Sequence, residues 1–364
     1  AALEGEIAGD VRRWADEPER IVVVRPAEKP EPVVAAFAAL ADVVALAERG
    51  DRRALGVTVE GIAVELLVPK PAELGTALVR ATGSDAYVAA LEPLSEAASE
   101  PAVYARLGVP FCPPELREQP FRGDPPALVE LADLRGDLHC HTTWSDGRAS
   151  VLEMAIAARE RGYEYVAICD HTPSVRVVAG VDADDLRRQA DEIAAANEAL
   201  APFRVLRGVE CDILPDGSLD LPDKALAELD WVTASVHAGQ RQPARELTKR
   251  VTDAMRHPAV RALSHPTGRL IGRRPPNALD LERTIEVALE TGIALEVNGL
   301  PDRLDLKGEH VRLAVDAGAK LVVCTDAHSP AGLANVELAI GTARRGWATA
   351  ADVVNTRPLA GLLR

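Results

Sequence analysis

Long apolar runs and paired cysteines are missing from the sequence, and each absence excludes a class of protein. No stretch approaches the roughly 18 apolar residues that mark a membrane-spanning helix, so we expect no membrane contact. The first twenty residues lack the apolar core of a signal peptide, and the five cysteines have no paired spacing. We therefore expect reduced thiols and a cytoplasmic location. Because the first residue is Ala rather than Met, we expect a processed form or part of a longer product.

Basic residues are also scarce. The formal charge is −15 at pH 7, and residues 1–135 alone carry 14 Lys and Arg against 23 Asp and Glu. This balance argues against a basic groove for extended nucleic-acid binding. It does not exclude a phosphate ester as substrate, because bound divalent cations add positive charge that a residue count ignores. No feature of the sequence identifies a protein partner.

Strand-like runs and helix-like segments alternate through most of the chain. From residue 129 onward, strand-like runs end in polar residues at 165–171, 203–211, 231–237, 260–266, 293–299 and 319–328. Predicted helices between them include 151–162, 183–200 and 280–292. Repeated strand–helix units predict an α/β fold with a parallel sheet covered on both faces, and about seven of them suggest a barrel.

The remaining segments predict a domain organisation of three parts. Residues 1–100 are predicted to form a smaller α+β domain, and residues 101–128 are a Pro-rich linker before a third part, 129–364. Within the first part, 20–25 and 61–69 are predicted strands, and 31–50 is predicted as one helix that ends at Gly50.

Histidines and carboxylates concentrate at the ends of the predicted strands. Nine residues lie at or just after a strand end: His139, His141, Asp146, His171, Glu210, His237, His265, Asp326 and His328. In parallel α/β barrels the active site forms at this rim. One histidine there is more often structural, but six at corresponding ends favour a metal site, and nine ligands exceed what one ion takes. The sequence therefore predicts two or three bound metal ions.

The motifs around these residues resemble a known family. They are "DLHCHTTWSDG", "AICDHT", "GVECDILPDGSLDLPD", "ASVH", "LSHPTGRLIGRR" and "CTDAHS". They are similar to those of the PHP superfamily of metal-dependent phosphoesterases, and within it to the C-terminal PHP domain of bacterial family X DNA polymerases. The resemblance covers 129–364 and implies a distorted barrel of seven α/β units. It also implies three divalent metal ions, manganese or zinc, with iron as a further candidate.

The resemblance also implies how the ligands are shared among the three ions. The first ion is held by His139, His141, Glu210 and Asp326. Glu210 also bridges to a second ion, whose other ligands are His237 and His265. The third ion is held by Asp146, His171 and His328.

Three further residues are candidates for a part in catalysis. Asp170 lies beside His171 and either orients an imidazole, assists proton transfer, or is an ordinary hydrogen-bond acceptor at a strand end. Arg269 and Arg273, with the adjacent Arg274, are candidates to bind phosphate oxygens, although a solvated loop explains them nearly as well.

The first hundred residues resemble a polymerase palm and thumb that have lost their chemistry. Two-metal nucleotidyl transfer needs carboxylates that hold magnesium. Alignment on "GDVRR" places Arg20 and Val22 where the family has its first two aspartates, and Glu65 at the third. Asp10 replaces the serine that contacts the triphosphate. We therefore expect a remnant without polymerase activity and with a structural or docking role.

Three functions remain open from the sequence. The leading hypothesis is a metal-dependent phosphoesterase that acts on DNA 3′ ends in repair, as a 3′–5′ exonuclease or 3′-phosphatase. A second is a phosphatase of small phosphomonoesters, similar to histidinol phosphatase, which the acidic composition favours. A third is a scaffold or regulatory protein that retains metals only for stability.

Overall fold

The chain divides into two units at Pro126 in the computed structural model, which describes residues 4–121, 123–175 and 178–363. This division falls inside the Pro-rich segment 101–128. Part of that segment is packed into the first unit, because Tyr104 is 2% exposed and Arg117 is fully buried. The predicted domain bounds 1–100, 101–128 and 129–364 stay a prediction.

The first unit is a five-stranded sheet with helices on both faces. Its strands are β1 (Glu6–Ala8), β2 (Ile21–Val24), β3 (Val43–Arg49), β4 (Arg53–Thr58) and β5 (Ala63–Leu67), in the spatial order β1-β2-β5-β4-β3. Its helices are α1 (Gly9–Arg12), α2 (Glu31–Ala38), α3 (Leu74–Thr82), α4 (Asp85–Leu91) and α5 (Glu100–Leu107). Phe37 of α2 packs on one face of the sheet, and Leu78 of α3 packs on the other.

The prediction of one helix over 31–50 is wrong. Helix α2 ends at Ala38, and Val43–Arg49 form strand β3. This strand pairs antiparallel with β4, with register irregularities that follow Val43 and Leu46. The spacing of apolar residues does not predict this strand, because six of the seven β3 residues are exposed. An edge strand gains its stability from backbone pairing with its neighbour rather than from a buried apolar face.

The second unit alternates strands and helices, as the sequence predicts. Its strands are β6 (Gly136–Cys140), β7 (Tyr165–Ile168), β8 (Arg204–Asp212), β9 (Trp231–Ser235), β10 (Val260–Leu263), β11 (Ala294–Asn298) and β12 (Lys320–Cys324). Its helices are α6 (Val151–Glu160), α7 (Ala183–Leu200), α8 (Asp223–Leu226), α9 (Ala244–Met255), α10 (Leu281–Thr291), α11 (Gly308–Ala317), α12 (Val336–Arg345) and α13 (Leu359–Leu362).

The seven strands form a parallel, nearly closed barrel. They lie in the order β12-β11-β10-β9-β8-β7-β6. The first and last strands meet through a bridge between Cys140 and Ala327, where the His141 amide donates to the Ala327 carbonyl at 2.8 Å. The predicted α/β barrel is confirmed.

Side chains inside the barrel change from apolar to polar along each strand. On β11 the inward residues run from Ala294 to Glu296 and Asn298, because successive side chains alternate between the two faces of a strand. On β8 the same direction leads from Leu206 to Glu210. The polar ends therefore collect at the C-terminal rim above an apolar barrel floor.

No helix among the described residues has both the length and the apolar character needed to cross a membrane.

Candidate metal centre

Strand β6 delivers two histidines to the centre of the barrel through a β-bulge. Asp137 pairs with Val166, and Cys140 pairs with Ile168, so Leu138 and His139 together face only Ala167. An extra residue of this kind re-aims the side chains around it. Leu138 packs into the barrel floor, while the rings of His139 and His141 lie 5.1 Å apart between their centroids.

The nine side chains predicted as metal ligands gather at the C-terminal rim. Three groups have donor atoms that all lie within 4.8 Å of one another. They are His141, Asp146, His171 and His328; His139, His141 and Asp326; and His171, Glu210 and His237. The assignment of individual ions to ligands stays a prediction.

These groups overlap with the three ligand sets that the resemblance implies, but they are not identical to them. His141 belongs to the group with Asp146, His171 and His328 as well as to the group with His139 and Asp326. His171 also belongs to the group with Glu210 and His237. His265 belongs to none of the three groups. It is nevertheless close to the same carboxylate, with Nε2 2.8 Å from Oε1 of Glu210.

Burial decreases across the cluster from one side to the other. The side chain of Glu210 is fully buried, and that of His139 is fully buried as well. Asp146 and His328, in contrast, have side chains that are 29% and 30% exposed, and His237 is 16% exposed. These three residues therefore form the solvent-exposed side of the cluster.

Glu210 provides the test of whether the cluster fits a metal ion. Four imidazole nitrogens lie within 3.6 Å of its two oxygens, two of them at 2.8 Å, from His171 and His265. Yet neither oxygen receives a hydrogen bond of acceptable geometry from any residue in the described ranges. Buried carboxylate oxygens surrounded by imidazoles but without donors suit cations placed between them. The residues present therefore fit divalent metal ions.

A second contact supports the same conclusion. Nε2 of His139 and Nε2 of His141 lie 3.2 Å apart. Nδ1 of His139 is 2.6 Å from Oε1 of Glu296, and this contact holds the ring with Nε2 towards His141. Two imidazole nitrogens at this distance suit a shared cation, because imidazole nitrogen is a common metal ligand.

The carboxylates of the cluster stay ionised at neutral pH. Burial raises the pKa of Glu210, but the surrounding imidazoles outweigh it and hold that pKa well below its usual range. Burial likewise raises the pKa of Asp326, and His139 and its neighbours hold it low. Burial raises the pKa of Asp146 too, but His328, His171 and His141 together outweigh it and lower the pKa to about 2. The centre therefore presents negative charge to a cation.

Two of the predicted ligands have strained backbones. Asp326 has φ of 53°, and His265 has φ of 24°. Positive φ is uncommon for residues other than glycine, and such conformations cluster at functional sites. Each of the two residues lies two positions after the end of its strand, at the C-terminal rim of the barrel.

Asp170 is fully buried beneath the exposed side of the cluster. Its oxygens accept from the Thr142 amide at 2.8 Å, from Thr142 Oγ1 at 2.6 Å and from Gln189 Nε2 at 2.7 Å. Ser145 Oγ adds a fourth bond at 2.5 Å. These bonds fix the loop that carries Asp146. A role for Asp170 in proton transfer stays a prediction.

The predicted phosphate-binding arginines occupy different environments. Arg269 is 6% exposed, and its guanidinium donates to the carbonyls of Arg303 at 2.7 Å and Leu304 at 2.5 Å. Arg273 has a side chain that is 75% exposed and lies 3.8 Å from Asp302. Their part in catalysis stays a prediction.

A cavity of about 590 Å³ adjoins the metal cluster. Its lining includes His237, Gln240, Arg241, Arg273, Arg274 and Asn277. Three of these six residues are arginines, and His237 belongs to the cluster. The cavity therefore joins a positive surface to the predicted metal centre.

Sequence reasoning missed the buried partners of the histidines. Glu296 is 1% exposed and accepts from Ser264 Oγ and the His265 amide, both at 2.7 Å, besides its contact with His139. Asp212, also 1% exposed, accepts from the His237 amide at 3.0 Å. The sequence does contain a signal for such partners. It is a carboxylate within an otherwise apolar strand, at a position whose side chain points to the same face as the predicted ligands.

In the first unit, the palm-like carboxylate is engaged by arginines. Oε2 of Glu65 lies 3.2 Å from Arg20 Nη1, and Oε1 lies 2.5 Å from Arg53 Nε. Val22 is buried in the sheet, and Asp10 forms an ion pair with Arg13. Both oxygens of Glu65 are therefore paired with guanidinium groups.

Comparisons with known proteins agree with the geometry of the second unit. Residues 137–299 match the PHP domain family. A probable phosphatase of Acetivibrio thermocellus is 31% identical over 202 residues, which cover 53% of this chain and 78% of that protein. The chain belongs to the PHP domain family.

Other PHP relatives differ in how much of their length this chain spans. The DNA polymerase/3′–5′ exonuclease PolX of Bacillus subtilis is 45% identical over 265 residues, 72% of this chain. This chain spans only 46% of that protein's length. A probable phosphatase of Thermoanaerobacter sp. is 28% identical, with 60% of this chain and 89% of that protein covered. These relatives support a PHP-type phosphoesterase, a hydrolase of phosphate esters.

Proposed function

We propose that the second unit hydrolyses phosphate esters at DNA 3′ ends, as a 3′–5′ exonuclease or 3′-phosphatase, with three divalent metal ions at the C-terminal rim of the barrel. The observation that carries this proposal is the gathering of nine ligand-type side chains, one of which is Glu210, whose buried oxygens lack hydrogen-bond donors among the described residues. Manganese or zinc suits such mixed nitrogen and oxygen donors, and iron is a further candidate.

The role of each residue in the proposed reaction depends on whether it lies on the buried or the exposed side of the centre. When bound, divalent metal ions neutralise phosphate charge and lower the pKa of a coordinated water. His139, His141 and Glu210 form the buried side of the centre, which excludes bulk water. Asp146 and His328 form its exposed side, where a phosphate ester enters. Asp170 keeps the loop of Asp146 in place through its bonds to Thr142 and Ser145.

Two observations support a DNA 3′ end as the substrate. The Bacillus subtilis relative is 45% identical and bears a 3′–5′ exonuclease name, and its match covers 72% of this chain. The arginine-lined cavity beside His237 also offers positive charge for a second phosphate. The cytoplasm is the expected location for such an activity, because the five cysteines are buried free thiols in the described structure.

A phosphatase of small phosphomonoesters is the second candidate. The relatives described as probable phosphatases are matched over most of their length, 78% for the Acetivibrio protein and 89% for the Thermoanaerobacter protein. The formal charge of −15 also disfavours long nucleic acids as ligands.

One experiment separates these candidates from a metal-binding scaffold. Hydrolysis of a 3′-labelled single-stranded oligonucleotide is measured with manganese, beside histidinol phosphate and an aryl phosphate. Shortening or 3′-dephosphorylation of the oligonucleotide, lost in His141→Ala, supports the proposal. Turnover of the small esters alone supports the second candidate and contradicts the first. Bound metal with no turnover of any substrate supports a scaffold and contradicts both.

We further propose that the first unit is a palm-derived module without polymerase activity. Glu65 is engaged by Arg20 and Arg53, and apolar Val22, which pairs with Glu65 across the sheet, stands at the family's second aspartate position. An arginine beside the remaining carboxylate repels magnesium. This unit then serves a structural or docking role.

A further inference from the structure

Arg250 is a buried cation on helix α9, next to two loops of the barrel rim. It is 3% exposed, whereas the other charged residues of α9 are exposed. Its Nη2 donates to the carbonyl of Ile213, and its Nη1 donates to the carbonyl of Ala238 and to Gln242 Oε1, both at 2.9 Å. Burial of a charged group is costly, and acceptors placed around it offset that cost. Arg250 therefore joins the loop after β8 to the loop after β9.

Both carbonyls lie next to residues that fix the main chain of His237. Ala238 directly follows His237 in the sequence. Ile213 directly follows Asp212, whose Oδ1 accepts from the His237 amide at 3.0 Å. The guanidinium of Arg250 thus contacts the main chain on both sides of this amide bond. It holds a predicted metal ligand through the backbone rather than through the imidazole.

His237 has its ring at the exposed side of the cluster, so the position of the ring depends on the loop that carries it. Its side chain is 16% exposed. Nδ1 is 3.2 Å from Ser235 Oγ and 3.4 Å from Asp212 Oδ1, and Nε2 is 3.4 Å from Glu210 Oε1. A shift of the loop would therefore move Nε2 relative to the carboxylate that is predicted to share its metal ion.

The residue after Ala238 is a glycine, and two features of the structure require it. Gly239 has φ of 73°, a conformation that residues with a side chain rarely adopt. A Cβ at this position would also lie 2.9 Å from Nη1 of Arg250, which is shorter than van der Waals contact. Because Nη1 is the donor to the Ala238 carbonyl, the added atom would displace that hydrogen bond. Gly239 therefore leaves free the space that the guanidinium occupies.

We propose that Arg250 is a positioning residue for hydrolysis, which holds the loop of His237 so that this imidazole binds a divalent metal ion together with Glu210. The inference rests on the proposed phosphoester hydrolysis and concerns a residue outside the nine predicted ligands. A planar guanidinium presents several donors in fixed directions, whereas the ammonium of lysine is a point charge on a flexible stem. Lysine at this position would therefore not join the two loops.

The test titrates cobalt(II) into the metal-free full chain and follows its visible absorption, which reports the number of bound ions and the ligands around them. Arg250→Lys and Arg250→Ala are compared with Lys249→Gln. Lys249 precedes Arg250 on α9, and its side chain is 75% exposed. The melting temperature of each metal-free protein is measured in parallel.

We expect both Arg250 variants to bind one of the ions about 10- to 100-fold more weakly and with a changed absorption spectrum, because outer partners of a metal ligand contribute on this scale. The other ions should bind as they do in the unaltered chain, and Lys249→Gln should change nothing. Unchanged cobalt affinity in both Arg250 variants would overturn the inference. So would an equal loss of every ion together with a lowered melting temperature, since Arg250 would then only stabilise the fold.

A second pair of variants tests the same contact without a change at Arg250. Gly239→Ala adds the Cβ that meets the guanidinium. Gly292→Ala is its matched control, because Gly292 has φ of 77° and no heavy atom of the described residues lies within 4 Å of its added Cβ. Both substitutions strain the backbone, so we expect only Gly239→Ala to weaken cobalt binding. Equal affinity in the two alanine variants would contradict the inference.

The lysine variant and the glycine pair decide the matter if Arg250→Ala does not fold. The readout is metal binding rather than turnover. A chain that binds cobalt as expected but hydrolyses no ester would refute the proposed function and leave the role of Arg250 in metal binding standing.

Discussion

Oε1 of Glu296 lies 2.6 Å from Nδ1 of His139, and both side chains are buried inside the barrel. The carboxylate orients the imidazole so that Nε2 faces Glu210, 3.6 Å away. It also accepts from the backbone amide of His265, so one buried residue orients two predicted metal ligands. Outer partners of this kind raise the basicity of a ligating histidine.

The first prediction concerns this partner. Glu296→Gln retains the shape of the side chain but removes the charge that holds His139. We expect metal affinity to fall about 10- to 100-fold, because outer carboxylates contribute on this scale. Competition with a coloured chelator measures it. Glu282→Gln, an exposed change on α10, is the control and should bind metal as the unaltered chain does. Equal affinity in both variants would contradict the orienting role.

Removal of metal gives the second prediction. Buried carboxylates and imidazoles around Glu210 are stabilised by cations, so chelation should lower the melting temperature of the barrel unit. Metal at about 100 times its Kd contributes about 2.7 kcal/mol, which corresponds to roughly 5–10 °C for a domain of this size. Differential scanning calorimetry before and after readdition of manganese checks it. His141→Ala should show a smaller shift, and an equal shift would place the stabilising ions elsewhere.

The barrel was largely predictable because its signals are local. Helix α7 was predicted over 183–200, and the structure confirms both ends. Asp182 caps this helix by accepting hydrogen bonds from the amides of Asp184 and Asp185. Adjacent residues therefore predict where the helix begins. Polar residues at strand ends likewise predicted which rim carries the candidate ligands.

Features that depend on distant residues were not predictable. The residues of β3 favour a helix in the sequence, because the pairing of this strand with β4 has no signature in them. The bulge at Leu138 and His139 arises from the register with β7, which a single strand does not reveal. The contact between Arg303 and Asp326 joins residues 23 positions apart, which no local pattern indicates.

The third prediction uses the strained backbone of Asp326. Asn tolerates its φ of 53°, whereas Ala carries a penalty of about 1–2 kcal/mol there. We expect Asp326→Asn and Asp326→Ala to lose hydrolysis equally, by more than about 100-fold, because both remove a metal-binding carboxylate. In chelator, Asp326→Ala should unfold at lower urea, with about 1 kcal/mol less stability than Asp326→Asn. Identical midpoints would show that the turn is unstrained in solution.

The last prediction addresses the first unit. Glu65→Ala removes the carboxylate that pairs with Arg20 and Arg53, whose side chains are 39% and 47% exposed. Water solvates both arginines once the carboxylate is removed, so we expect a loss of only about 1 kcal/mol in the free energy of unfolding. Phosphoester hydrolysis should stay unchanged, since Glu65 has no part in the metal centre. Glu60→Ala, in an exposed turn, is the control for urea unfolding and should cost less. A Glu65→Ala protein with reduced hydrolysis would contradict a purely structural role. Nucleotide incorporation on a primed template by the unaltered chain would show that the first unit retains polymerase activity.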